Sequence, residues 1–173
     1  MKNVTLFKME DVEVGVSHEY ITSPVSVRDD ILSIHAYLFE PDTLTRISVR
    51  MREHEHIIYF FWVQDSSALG FNVLYVPETQ VLFLGADKTS VILKLTSKIE
   101  ILRENTVDLF WSFKYCRNYI LELGELECFL YEKTGEIIGI VPVDPPYDII
   151  ENEESLTFVS DVMGTCSIKW PDQ

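Results

Sequence analysis

From Thr45 to Arg52 the chain alternates strictly: Ile47, Val49 and Met51 fall on one parity, and Arg46, Ser48, Arg50 and Arg52 on the other. Side chains two positions apart share a face of an extended chain, so this period predicts a strand with one side toward a core. Leu109–Cys116 repeats the pattern, with Leu109, Trp111, Phe113 and Tyr115 opposed to Phe110, Ser112, Lys114 and Cys116. Short polar breaks separate runs of this kind. Glu40-Pro41-Asp42-Thr43 divides Ile31–Phe39 from Leu44–Arg52, Pro77-Glu78-Thr79 divides Phe71–Val76 from Val81–Leu84, and Lys133-Thr134-Gly135-Glu136 divides Glu127–Glu132 from Ile137–Val143. Each break is predicted to be a hairpin turn. Asp30–Phe39 is ambiguous. Ile31, Ile34, His35 and Leu38 have helical spacing, with Ser26 and Asp29 placed like a capping box, whereas Leu32, Ile34, Ala36 and Leu38 fit one strand face. The sharp Glu-Pro-Asp turn that follows favours the strand of a hairpin. About a dozen strands of ordinary length are expected along the chain.

Composition sharpens this picture. Alanine, the best helix former, occurs only at Ala36, Ala68 and Ala86, while Val, Ile and Thr number 44 and the aromatics 21 among 173 residues. β-Branched and aromatic residues suit a pleated, half-buried surface. No Gly/Ser/Pro-rich linker interrupts the chain. The expected fold is all-β or nearly so: a single domain over residues 1–173, built of consecutive antiparallel hairpins in a sandwich or an incomplete propeller-like ring.

The second half carries a family pattern. From Val81 onward the order is LFLGAD, WSF, YILELGELECFLYEKTGEIIG, VDPPYDI and VSDVMG. It resembles a set of bacterial all-β proteins with a WxF strand, an ELE strand, a glycine-marked hairpin, a PPY or PPW turn and a terminal DVMG. The matching positions are Trp111, Phe113, Glu125, Leu126, Glu127, Gly135, Pro145, Pro146, Tyr147, Asp161, Val162, Met163 and Gly164, within residues 81–170. The resemblance implies hairpins strung like successive propeller-blade pieces and implies no activity.

Charge narrows the classes of function. The formal net charge is −14, with a pI near 4.6. From Asn118 to Gln173 there are 12 acids against Lys133 and Lys169, whereas Lys88–Arg117 carries six Lys and Arg against Glu100, Glu104 and Asp108. Nucleic acids and anionic membranes demand a basic footprint, so neither is an expected partner. The start, MKNVTLFKMED, has no secretory apolar region, and the longest uncharged apolar run, Ile57–Val63, is far short of the roughly 20 residues that span a bilayer. Cys116, Cys128 and Cys166 are odd in number and without a CxxC pair, which fits small buried hydrophobes in a reducing compartment. A cytoplasmic location is expected.

Four stretches carry candidate chemistry. Glu53-His54-Glu55-His56 places two imidazoles on one strand face, as a metal site requires, but no His follows His56, and His18 or His35 could join only through the tertiary fold. A solvated strand start is the competing reading, and no metal or other cofactor is expected. The nucleophile elbow GxSxG and the phosphate loops GxxxxGK[ST] and GxGxxG are absent, and all His lie before residue 57 and all Cys after residue 115. Glu125 and Glu127 share a parity, with Glu122 opposite them across a short turn at Gly124; a solvated acidic face is expected there rather than a glycosidase pair. Asp144-Pro145-Pro146-Tyr147-Asp148 is the stiffest loop, because two prolines fix φ. Its tyrosine is either an interface anchor or a corner folded back on the sheet. Glu151-Asn152-Glu153-Glu154 adds three acids in four residues.

The leading expectation is therefore a non-enzymatic binding protein whose acidic C-terminal third docks a basic protein through Asp144, Tyr147, Asp148, Glu151, Glu153 and Glu154. An immunity protein neutralising a basic nuclease toxin is one concrete form. The alternatives are a small-molecule-binding or metal-dependent enzyme with a sheet cavity near His54 and His56, and a structural assembly subunit.

Overall fold

The computed structural model describes residues 4–9, 12–23, 25–28, 31–36, 40–51, 54–64 and 70–171, the first of these segments by its backbone alone. The fold is all-β: among the described residues there are sixteen strands, more than the dozen expected, and no helix. The first sheet is built from Val4–Met9 (β1), Val12–Tyr20 (β2), Leu32–Ala36 (β3), Thr43–Met51 (β4) and His54–Trp62 (β5), in the order β1-β2-β4-β5-β3. The second is a meander of Asn72–Val76 (β6), Val81–Ala86 (β7), Thr89–Leu95 (β8) and Ile99–Thr106 (β9). The third is a meander of Phe110–Cys116 (β10), Tyr119–Gly124 (β11), Glu127–Glu132 (β12) and Ile137–Pro142 (β13). Tyr147–Glu151 (β14), Ser155–Ser160 (β15) and Gly164–Lys169 (β16) make a three-stranded fourth sheet.

The sheets pack face to face in chain order, and strand parity decides which seam each side chain enters. On β7, Leu82, Leu84 and Ala86 join the core shared with the first sheet, while Val81 and Phe83 join the core shared with the third. All six residues of β7 are buried, which is why VLFLGA reads as a continuous apolar run instead of an alternating one. The third sheet repeats the arrangement: Ile120, Phe129 and Tyr131 face the second sheet, and Leu121, Cys128 and Leu130 face the fourth. Burying one such Leu or Phe side chain contributes about 1.5–3 kcal/mol. Two glycines set the sheet spacing. A Cβ on Gly85 would stand 2.5 Å from the Phe110 ring, and one on Gly139 2.7 Å from Ile168. The hairpins expected at Pro77-Glu78-Thr79 and Lys133–Glu136 form as antiparallel pairs, β6 with β7 and β12 with β13.

Two local expectations fail for identifiable reasons. Ile31–Phe39 does not form a hairpin with Leu44–Arg52: β3 pairs in parallel with β5, Leu32 opposite Ile58 and Ala36 opposite Trp62, while β4 lies between β2 and β5. The two antiparallel partners of β4 are instead β2, earlier in the sequence, and β5, which follows it. Residues 37–39 lie outside the described residues, as do Asp29, Asp30, Arg52 and Glu53. On β10 the predicted two-sided alternation is broken by a bulge between Phe110 and Ser112. The extra residue shifts the parity, so Phe110 and Phe113 enter one core although they are three apart.

Candidate functional site

The stiff loop and the acid-rich hairpin lie together on the fourth sheet. Tyr147 opens β14 and is folded back on the third sheet: its ring stacks on Trp111 with centroids 5.2 Å apart and planes 1° apart. Its hydroxyl donates to the Gly124 carbonyl at 2.9 Å and lies 3.4 Å from Cys128 Sγ. Burial and the neighbouring thiol push the Tyr147 hydroxyl far above the usual phenol range. Of the two readings weighed for this residue, the corner is the geometry found. Asp144 is half-buried, while Asp148, Glu151, Glu153 and Glu154 are exposed.

The tip between β14 and β15 is held rigidly from outside the fourth sheet. Arg117 occupies the tight turn between β10 and β11 with a left-handed φ of 54°. Its Nε donates to Glu151 Oε1 at 2.7 Å, and its terminal nitrogens donate to the Asn152 carbonyl at 2.7 Å and the Glu153 carbonyl at 3.4 Å. The guanidinium carbon lies 4.6 Å from the centre of the Trp170 ring, and Trp170 Nε1 also donates to the Asn152 carbonyl, at 2.8 Å. Tyr119 stacks on Trp170 at 5.7 Å. Within the tip, the Asn152 side-chain oxygen accepts from the Glu154 and Ser155 backbone amides at 3.1 and 2.9 Å. Such an Asx turn fixes the local backbone.

These contacts divide the acids into two kinds. Glu151 is engaged: the Arg117 hydrogen bond holds its carboxyl below the usual carboxylate range. Cys116 donates to Glu151 Oε2 at 3.5 Å, and burial with that carboxylate pushes its thiol up to about 11, so it stays protonated and unreactive. Glu153 and Glu154 line an open cavity of about 600 Å³ with Arg117, Lys169 and Trp170. Neither Arg117 nor Trp170 was singled out from sequence; a lone arginine in a tight turn gives no signal until the hairpin it reaches is known.

His54 and His56 share a face, as their spacing predicts. His56 Nε2 donates to the Thr96 carbonyl at 3.0 Å, tying the first sheet to the turn after β8, and His54 is exposed. Glu55 pairs with Arg50 at 3.7 Å on the opposite face. No group of three or more His, Cys, Asp or Glu able to hold an ion occurs among the described residues. A cavity of about 510 Å³ beside His56 is lined by Arg28, Lys98, Ser97 and Glu55, with an apolar floor of Ile31, Leu32 and Ile99.

The acidic face expected at Glu122, Glu125 and Glu127 is only partly solvated. Glu125 and Glu127 are half-buried, whereas Glu122 is 1% exposed in the seam between the second and third sheets. The correction follows from position: Glu122 lies mid-strand between Leu121 and Leu123 on a strand covered on both sides. A single acid in the apolar run YILELG, with apolar neighbours on both parities, is the sequence signal of that burial.

No protein-family model matches the chain, and no curated protein matches it. Among solved structures, the Hsv2 of Kluyveromyces marxianus is similar over 58% of this chain and 33% of its own, at 14% identity and a TM-score of 0.31. The Hsv2 of Kluyveromyces lactis is similar over 58% and 37%, at 12% identity and a TM-score of 0.30. The chain thus spans little more than a third of those proteins, and likeness at this level decides neither fold nor function.

Proposed function

We propose that this chain is a protein-binding module that docks a basic partner through the tip between β14 and β15. The observation that supports it is the preorganised tip: Arg117, Trp170 and Asn152 fix the backbone of residues 151–155, while Glu153 and Glu154 remain exposed. A rigid loop loses little entropy on docking, and exposed acids steer a cationic partner and speed its association. Asp148 extends the same charge along β14, and Glu151 serves to anchor the tip. A basic nuclease toxin is one partner of this class, and a location in the reducing cytoplasm suits the three free thiols.

The test is association kinetics against a copurified basic partner at two salt concentrations. Association should slow several-fold between about 50 and 300 mM salt, and the double variant Glu153→Gln with Glu154→Gln should reproduce most of that slowing at low salt with dissociation little changed. Salt-independent rates, or an acidic partner, end the proposal. A second reading is small-molecule binding beside His56, favoured by the cavity whose lining includes Arg28 and Lys98; its ligand would be a small anion, and thermal shifts with phosphate and with short carboxylates test it.

A further inference from the structure

Besides contacts such as Asn72 with the Phe113 amide and Tyr115 with the Tyr75 carbonyl, the largely apolar seam between the second and third sheets holds a side-chain hydrogen-bond network. Ser90 of β8 and Asn105 of β9, directly paired across the second sheet, meet Glu122 of β11 and Tyr131 of β12 there. A bulge where Ile92 and Leu93 face β9 sets the parity that turns Arg103 and Asn105 toward the third sheet. Asn105 Nδ2 donates to Ser90 Oγ at 3.1 Å and to the Tyr131 hydroxyl at 2.8 Å, and the Tyr131 hydroxyl donates to Glu122 Oε2 at 2.7 Å. The donors run in one direction, and the carboxyl ends the chain. Its other oxygen, Oε1, is buried without a hydrogen-bond partner, and the residues paired with Glu122 on either side are Phe113 and Phe129.

That environment suits one protonation state better than the other. A carboxylate has about four acceptor sites to satisfy and a full charge to solvate, whereas the neutral acid has fewer acceptor sites and carries one O–H donor. The charges that face it do not repair the deficit. Arg103 of β9 acts on Tyr131, and Glu127 of β12, on the same face as Glu122, repels its charge. From β8 only the Ser90 hydroxyl opposes burial, and β10 offers Phe113. Burial dominates and raises the Glu122 carboxyl to about 7, against the Tyr131 and Ser90 hydroxyls.

We propose that Glu122 is a proton-operated latch on this seam: neutral, it lets the second sheet close onto the third over a buried carboxyl, and ionised, its desolvated charge loosens them despite the Tyr131 hydroxyl that bonds it. The sign follows from linkage. Below the ordinary glutamate range both folded and unfolded chains hold the proton and the latch contributes fully. As pH rises, the unfolded chain releases its proton first, so stability falls toward neutrality and levels off once the folded carboxyl has ionised. Each unit of displacement is worth about a factor of ten in the folding equilibrium.

The deciding experiment combines a carbon-13 carboxyl titration of the glutamates with amide hydrogen exchange between pH 5.5 and 8.5, on the wild-type chain and on Glu122→Gln. One glutamate should titrate near neutrality. After correction for intrinsic rates, protection in β8, β9, β11 and β12 should fall at least tenfold across that transition in the wild type and stay level in the variant. If every glutamate titrates below pH 5.5, or if protection falls equally in both chains, the latch does not exist. Should the variant not fold, the wild type alone decides: the loss of protection must follow the carboxyl titration, and protection that stays flat through it overturns the proposal.

Discussion

Arg117 shows how one exposed side chain can matter more than its ion pair. The pair with Glu151 is roughly one-third to one-half exposed on each side, so its direct worth is at most about 1 kcal/mol. The guanidinium also satisfies the carbonyls of Asn152 and Glu153 and covers Trp170. Arg117→Ala is therefore expected to cost about 1–3 kcal/mol in urea unfolding, and Glu151→Gln less than about 1 kcal/mol. The carboxyl of Glu151 is held low, so its small contribution is present above the ordinary glutamate range and fades as pH falls through the lowered value. Glu151→Gln should remove that acid-side slope, and an unchanged slope would assign it to other carboxylates. Tyr147 changes meaning by the same reasoning. Its ring and hydroxyl are both used inside the molecule, so Tyr147→Ala tests stability before it tests docking.

At the scale of the strand, the chain declares its faces better than its partners. The alternation in Thr45–Arg52 predicted β4, and Ile47 and Val49 are fully buried as it required. The turns at Pro77-Glu78-Thr79 and Lys133–Glu136 predicted their hairpins because both partners lie beside the turn. The parallel pairing of β3 with β5 has no such local signal, since a whole strand intervenes between them. Bulges are equally silent: the extra residue on β10 shows only as an aromatic at Phe110 on the parity of Ser112 and Lys114. The site follows the same rule. Its acids were legible as a cluster, but the division of Glu151 from Glu153 and Glu154 depends on Arg117, thirty-four positions earlier along the chain. Gly85 offers a test of sheet spacing. Gly85→Ala forces a methyl against the rigid Phe110 ring and is expected to cost about 1–3 kcal/mol, read as a lowered urea midpoint; an unchanged midpoint would mean that the seam adapts freely.

For the whole molecule, the formal charge of −14 overstates what a partner meets and understates how unevenly it is spread. Glu122 is withdrawn into a seam where burial favours its neutral form, whereas the pair of Glu151 with Arg117 is already balanced in that sum and only evens out the field at the tip. Among the described residues the other acids are exposed or half-buried, because the interior between the sheets is taken by apolar side chains from both directions. Like charges on a compact body repel one another, and that repulsion acts over about 30 Å at 0.01 M ionic strength but only about 8 Å at 0.15 M. Added salt should then have opposite effects on folding and on docking. Between those ionic strengths the folded chain should gain about 1 kcal/mol, seen as a rise of about 2–4 °C in the thermal midpoint. Association with a basic partner should slow over the same interval. Glu153→Gln with Glu154→Gln separates the two effects: it removes only two charges of the self-repulsion, so the midpoint should keep most of its salt response while association loses most of its own. A midpoint that falls with salt, or a double variant whose association keeps its full salt dependence, would place the governing charges away from the tip.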